Sequence, residues 1–155
     1  MLLQIAEAVA STPFAAWAAG SAYAYPVANV LHLLGLVLLL GGIGLIDLRL
    51  LGAFPRLPLQ TLAEALTPLG IAGIFILVAS GSVLFAADAV ALAGSGIFRL
   101  KLVLIGIALA NAVAFRVLYR RLDAAPPTAP SRLMALVSLA LWLGVATFGR
   151  LIAYA

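Results

Sequence analysis

The chain has 155 residues, of which 66% are hydrophobic and 9% charged, and its mean hydropathy is +1.24. These residues cannot supply the polar surface that a soluble domain of this length needs. Cysteine is absent, which excludes disulfides, thiolate metal sites and cysteine nucleophiles. The net charge of +4 comes from basic residues that mostly flank apolar blocks, so it indicates membrane topology and not a nucleic-acid partner.

The N-terminal residues 2–18 predict one short helix that lies on the membrane surface. This segment is too short and too polar to span a bilayer, since Gln4 and Glu7 interrupt its apolar residues. Phe14 and Trp17 suit the headgroup depth. The alternative interpretation is a frayed terminus.

Long apolar blocks follow, and each is long enough to cross a bilayer. They predict spans at about 26–48, 62–87, 97–119 and 132–153. The segment APPTAPS, from Ala125 to Ser131, predicts an extended loop because its prolines cannot continue a helix. Short loops favour antiparallel neighbours. The predicted fold is therefore all-α, a single four-helix transmembrane bundle over residues 1–155 with an interfacial N-terminal helix.

Basic residues are unequally divided between the two ends of the predicted spans. The first and third loops and their flanks hold Arg49, Arg56, Arg116, Arg120, Arg121 and Arg132. The opposite side holds Arg99, Lys101 and Arg150. The positive-inside rule places the first and third loops in the cytoplasm, which leaves both termini outside.

The only histidine, His32, lies inside the first predicted span. Ionisable groups within a span are costly and usually functional. Gly35 and Gly42 share its helical face and would allow a close approach by another helix or by a flat porphyrin. Histidine is a common axial ligand of haem iron. The alternative is a neutral imidazole hydrogen-bonded between helices, with both glycines serving only in packing.

Lys101, Arg150 and Asp88 are predicted to lie on the same side as His32. Lys101 and Arg150 could hold an acidic group such as a haem propionate, a lipid headgroup or an anionic substrate. The alternative is that they only extend their charged ends to the interface and bind nothing.

Polar residues elsewhere in the spans favour structural roles. Asp47 and Arg116 are predicted to form an interhelical ion pair, and Asn111 an interhelical hydrogen bond. One histidine gives no catalytic triad and no zinc or di-iron cluster, so we do not expect the chain to be an enzyme by itself.

Several segments resemble an uncharacterised family of small four-helix bacterial inner-membrane proteins. They are HLLGLVLLLGGIGLIDLRLLG (His32 to Gly52), FAADA (Phe85 to Ala89), FRLKLVLIGIALANAVAFR (Phe98 to Arg116) and LWLGVATFGRLIAY (Leu141 to Tyr154). The family carries no established activity, and the resemblance implies a multi-pass location in the bacterial inner membrane. In that membrane the outer side, where the positive-inside rule places both termini, is the periplasm. The His-x-x-Gly opening is more loosely similar to copper-resistance D and cytochrome b561-like proteins, which hold haem b or copper. A single histidine departs from their pattern.

Three functional hypotheses follow. In the first, the protein is redox-associated or a membrane subunit of an oxidoreductase: His32 ligates haem b, Gly35 and Gly42 make room for the ring, and Lys101 and Arg150 face the propionates. In the second, it is a cofactor-free accessory subunit that packs as a homo-oligomer or within a larger membrane complex. The third is a small-solute or metal-ion carrier with His32 at its entrance.

Overall fold

The computed structural model describes residues 1–119 and 126–154, and the described residues form helices and short connections without a strand. The helices are α1 (Leu2–Ala10), α2 (Pro13–Gly20), α3 (Ala24–Leu50), α4 (Leu59–Ala87), α5 (Ala89–Gly94), α6 (Gly96–Leu118) and α7 (Ala129–Leu151). A 3₁₀ turn (Ile152–Tyr154) follows α7. The predicted all-α fold is confirmed. Arg120 and Arg121, predicted to belong to the basic end of the third span, lie outside the described residues.

Four helices of the described chain, α3, α4, α6 and α7, are long and apolar enough to cross a membrane. They correspond to the four predicted spans. Successive spans run in opposite directions, so the bundle has two distinct ends. We call the end where α3 and α6 begin the His32 end, and the end where they finish the Asp47 end.

Helix α7 begins earlier than the sequence predicted. The structure starts it at Ala129, inside the segment predicted as an extended loop. The Thr128 hydroxyl accepts a hydrogen bond from the Ser131 N–H, and Pro130 occupies the first turn, where a missing N–H costs nothing. The proline-rich composition therefore marks the start of the helix.

The N-terminal segment forms two helices where the sequence predicted one. The Thr12 hydroxyl accepts from the Ala15 N–H and caps α2, whose first residue is Pro13. Helix α1 packs on α5, which the sequence did not predict, and α2 packs on α4. These contacts use small side chains, namely Ala6 against Ala89 and Ala93, and Ala15 and Ala18 against Ala86. The pair α1–α2 thus covers the His32 end.

The spanning helices share a core. Leu39 of α3, Ala108 of α6, and Trp142 and Val145 of α7 are buried together, with Ile74 of α4 packed against them. At the His32 end, Phe85 of α4 stacks on Phe98 of α6 with ring centroids 5.6 Å apart. All four spans therefore contribute side chains to one bundle.

Helices α3 and α4 pack so closely that their backbones touch. A methyl group on Gly35 would lie 2.9 Å from the Gly73 carbonyl oxygen, and one on Gly42 would lie 2.9 Å from the Gly70 nitrogen. A methyl group on Gly73 would lie 2.7 Å from both the Gly35 oxygen and the Leu39 nitrogen. We call this line of four glycines the α3–α4 seam. It gives the bundle a tight helix pair of the kind that small residues permit in membranes.

At the Asp47 end, the two predicted polar interactions have different outcomes. Asn111 of α6 donates to the Met134 carbonyl of α7 over 3.1 Å, which confirms the interhelical hydrogen bond. Asp47 is only 7% exposed and has Ser138 of α7 as its hydrogen-bonding neighbour, while its Oδ2 has no partner among the described residues. Arg116 is exposed and does not pair with it. The register of α3 against α7 turns Asp47 into the bundle, while Arg116 remains on the surface of α6.

Candidate functional site

His32 is held by a residue of the neighbouring helix. Its Nδ1 lies 2.9 Å from the Oγ of Ser80, which α4 contributes opposite the first third of α3. The side chain is partly buried between the two helices. The α3–α4 seam holds these two helices in close contact, and the His32–Ser80 hydrogen bond joins the same two helices.

The proton arrangement follows from the bonds that Ser80 makes. Its Oγ lies 2.6 Å from the Ile76 carbonyl oxygen, one turn earlier on the same helix. A hydroxyl has a single proton, and the short contact assigns it to Ile76. Ser80 must then accept from His32, so Nδ1 carries the proton and, in the neutral ring, Nε2 keeps its lone pair. Among the described residues, none hydrogen-bonds Nε2.

Gly81 borders the imidazole on the same side as Ser80. A methyl group at this position would lie 3.3 Å from the His32 Cε1 and 3.7 Å from Nδ1. The Cε1–Nδ1 side of the ring therefore packs against α4 at the Ser80–Gly81 step. A side chain larger than hydrogen at Gly81 would push the ring away from Ser80.

Lys101 of α6 lies at the same end of the bundle as His32. Its stem crosses α7 at Gly149, where a methyl group would lie 3.2 Å from Nζ and 3.5 Å from Cε. In the described part of the chain, Lys101 makes neither a hydrogen bond nor an ion pair. The ammonium is thus available to an acidic ligand.

Arg150 does not belong to this group. Its guanidinium donates to the Tyr154 hydroxyl over 2.6 Å and lies 4.9 Å from the centroid of the same ring. The side chain is exposed at the end of α7. The structure therefore leaves Lys101 partly buried beside Gly149 at the His32 end and Arg150 exposed at the surface.

Gly35 and Gly42 are also occupied by contacts within the chain. Both belong to the α3–α4 seam, where the α4 backbone and Leu77 fill the space that a side chain would take. The sequence correctly indicates that something approaches these glycines closely. The approaching group is α4, so this face of α3 has no room for a porphyrin.

Residues from all four spanning helices form the candidate site at the His32 end. His32 comes from α3, Ser80 and Gly81 from α4, Lys101 from α6, and Gly149 from α7. Within the described residues, no three His, Cys, Asp or Glu side chains lie together as a metal-binding group. The site offers one nitrogen lone pair and one ammonium.

The sequence alone assigns no functional role to Ser80, Gly81 or Gly149. Ser80 and Gly81 are visible as a polar, small step inside an apolar span, which is the usual signal of helix packing. Nothing in the sequence specifies that they oppose His32, because the rotation and register of two helices depend on the whole interface.

No family model matches the chain, and neither a curated protein nor a solved structure matches it. The fold and the site therefore rest on the chain's own geometry.

Proposed function

We propose that the protein is a redox-associated protein of the bacterial inner membrane that binds haem b through His32 Nε2. The observation that carries this proposal is the His32–Ser80 hydrogen bond, which orients the ring and leaves Nε2 without a partner. Histidines that ligate metals usually donate their other N–H to an acceptor in this way, which fixes the tautomer and the ring orientation.

The number of available ligands favours haem over a bare metal ion. A site with one histidine and no clustered carboxylates in the described chain leaves most coordination positions of a free ion unfilled. The porphyrin supplies four nitrogens itself, so haem requires only an axial ligand from the protein. When bound, haem b supplies one-electron transfer.

Lys101 is the residue best suited to the acidic edge of the cofactor. Its ammonium makes neither a hydrogen bond nor an ion pair in the described chain and lies at the same end of the bundle as His32, so a haem propionate could pair with it. Arg150 is engaged with Tyr154 and is not part of this proposal. Since the α3–α4 seam is filled, the ring would lie on the Nε2 side of His32.

The membrane orientation is part of the same proposal. Among the described residues, Arg49, Arg56, Arg116 and Arg132 lie toward the Asp47 end. The positive-inside rule supports a cytoplasmic Asp47 end and a periplasmic His32 end, with both termini in the periplasm. His32 would then hold haem in the outer half of the bilayer.

A haem titration of the detergent-purified protein tests the ligand assignment. We expect one haem per chain, with a shifted Soret band that His32→Ala abolishes. Lys101→Met should weaken binding about tenfold, which corresponds to about 1.4 kcal/mol for a charge-assisted contact. Arg150→Met should leave the affinity unchanged because Arg150 is held by Tyr154.

Asn29→Ala is a matched control, because Asn29 is an exposed polar residue one turn before His32 on the same helix. Two results would contradict the proposal: wild-type protein that folds but does not shift the Soret band, and a His32→Ala variant that binds haem as tightly as the wild type.

The exposed surface of α6 favours a second candidate, a cofactor-free accessory subunit of an oligomer or a larger membrane complex. Only 6% of the most apolar stretch of α6 is buried inside the chain. Its exposed residues include Gly106, Ala110 and Ala114, spaced four apart on one face. Small residues at this spacing permit close packing with another transmembrane helix.

Cross-linking in native membranes separates this candidate from the first. Gly106→Leu should abolish association, while Gly41→Leu on α3 should not, since a Cβ at either glycine meets no atom within 4 Å in this chain. Gly35 and Gly42 cannot serve in this test because they pack within the chain. Equal cross-linking of wild type and Gly106→Leu would exclude α6 as the interface.

A further inference from the structure

A groove of about 380 Å³ lies between α2, α3 and α4 at the His32 end. Its walls are almost entirely apolar and include Trp17, Ala28, Leu31 and Ala79, and Ser80 lines it as well. No charged side chain lines it. Trp17 is 52% exposed and Ala79 is also exposed, so the groove forms part of the surface that the spanning helices present to lipid.

The groove runs along α3 from Ala24 to Leu31. At 1.5 Å per residue, this distance is about 10 Å. One leaflet contributes roughly 15 Å of hydrocarbon, half of the bilayer core. The groove therefore begins near the expected headgroup depth and ends within the same leaflet.

The two serine hydroxyls of the groove differ in whether their proton already has an acceptor. At its mouth, the Ser21 Oγ accepts from the backbone N–H groups of Tyr23 and Ala24, and its own proton has no acceptor in the described chain. At its inner end, the Ser80 proton is given to Ile76. The groove thus offers the Ser21 hydroxyl as a donor at the headgroup end, where Tyr23 also lines it, and an apolar channel below.

We propose that this groove binds one acyl chain of a bilayer phospholipid, whose ester carbonyl accepts from Ser21. The Ser21 hydroxyl fits the ester carbonyl at the top of such a chain, and the apolar walls fit its methylenes. The absence of charge from the lining indicates that the headgroup is not selected. A ligand with a carbonyl deep in the groove would find no free donor there.

This proposal does not depend on haem. The bound chain would lie against Ser80 and cover the His32–Ser80 hydrogen bond from the bilayer side. It would exclude water from that bond, and it would also fill the space between α2 and the spanning helices.

Native mass spectrometry of the delipidated protein, supplied with dioleoyl phosphatidylethanolamine in mild detergent, tests the proposal. Ala79→Trp should fill the groove and remove the retained lipid. Ala72→Trp is the matched control, because Ala72 is an exposed alanine seven residues earlier on α4 and does not line the groove. We expect one retained lipid per chain in the wild type and in Ala72→Trp, and none in Ala79→Trp.

A second measurement avoids any dependence on the folding of Ala79→Trp. A phospholipid with brominated acyl chains should quench Trp17 at one molar equivalent, and Ser21→Ala should raise the amount needed. Retention of lipid by a folded Ala79→Trp variant, or quenching that never saturates, would overturn the proposal. So would extraction of a tightly bound quinone in place of phospholipid.

Discussion

The close contact along the α3–α4 seam predicts that a methyl group added at Gly73 destabilises the packing of α3 on α4. Adding one methyl group there, as in Gly73→Ala, places a carbon 2.7 Å from the Gly35 oxygen and 2.7 Å from the Leu39 nitrogen. Both neighbours are backbone atoms of α3, so no side-chain rotation can relieve the contact. The two helices must move apart, and the packing along the whole seam must loosen.

The expected magnitude follows from two opposing terms. Forcing extra volume into a packed interface costs about 1–3 kcal/mol, and backbone neighbours put this case at the upper end. Alanine is favoured over glycine inside a helix by about 1 kcal/mol, which offsets part of that cost. We therefore expect Gly73→Ala to lower the free energy of unfolding by roughly 1–2 kcal/mol.

Gly41→Ala provides the control within the same helix pair. Gly41 lies on the exposed side of α3, and an added methyl group meets nothing within 4 Å. It should stabilise the protein by up to about 1 kcal/mol through helix propensity alone. Reversible unfolding in mixed micelles of increasing dodecyl sulfate fraction, followed by tryptophan fluorescence, measures both variants. Equal stability of Gly73→Ala and Gly41→Ala would refute the seam.

Three further predictions follow from the polar residues. In Ser80→Ala, the ¹⁵N spectrum of His32, the only histidine, should lose its fixed Nδ1-protonated tautomer. Ser82→Ala should leave it unchanged, because that hydroxyl bonds only to its own helix. Asn111→Ala removes the α6–α7 hydrogen bond and should cost about 0.6 kcal/mol, or up to roughly 2, in the same unfolding assay. Asp47→Asn removes a buried carboxylate that has no cationic partner in the described chain, so stability in the same assay should stay equal or rise, and a large loss would contradict this expectation.

The sequence predicts the spans because hydropathy and length alone decide whether a helix can cross a bilayer. It also predicts the hydrogen bond of Asn111, since a buried amide in a span needs a partner. It does not predict that α1 and α2 are separate helices, although Thr12 followed by Pro13 is a helix-start signal. The hydrophobic residues on either side of this pair conceal the break.

The site is less predictable because it depends on helix rotation. Lys101 and Arg150 both lie near the ends of their spans, and the sequence treats them alike. Packing places Lys101 against Gly149 of α7, while Arg150 bonds to Tyr154 in the 3₁₀ turn that follows its own helix. The sequence also predicts that Gly35 is a position of close contact. It does not predict that the contact is with Gly73, because that depends on the register of α3 against α4.

The most direct test of the proposed function is the reduced-minus-oxidised absorption spectrum of the protein purified from cells with an adequate haem supply. The account predicts a Soret band and sharp reduced α and β bands at close to one haem per chain, all lost in His32→Ala. Well-folded protein with a flat visible spectrum would contradict haem binding and leave the accessory-subunit hypothesis as the account of the fold.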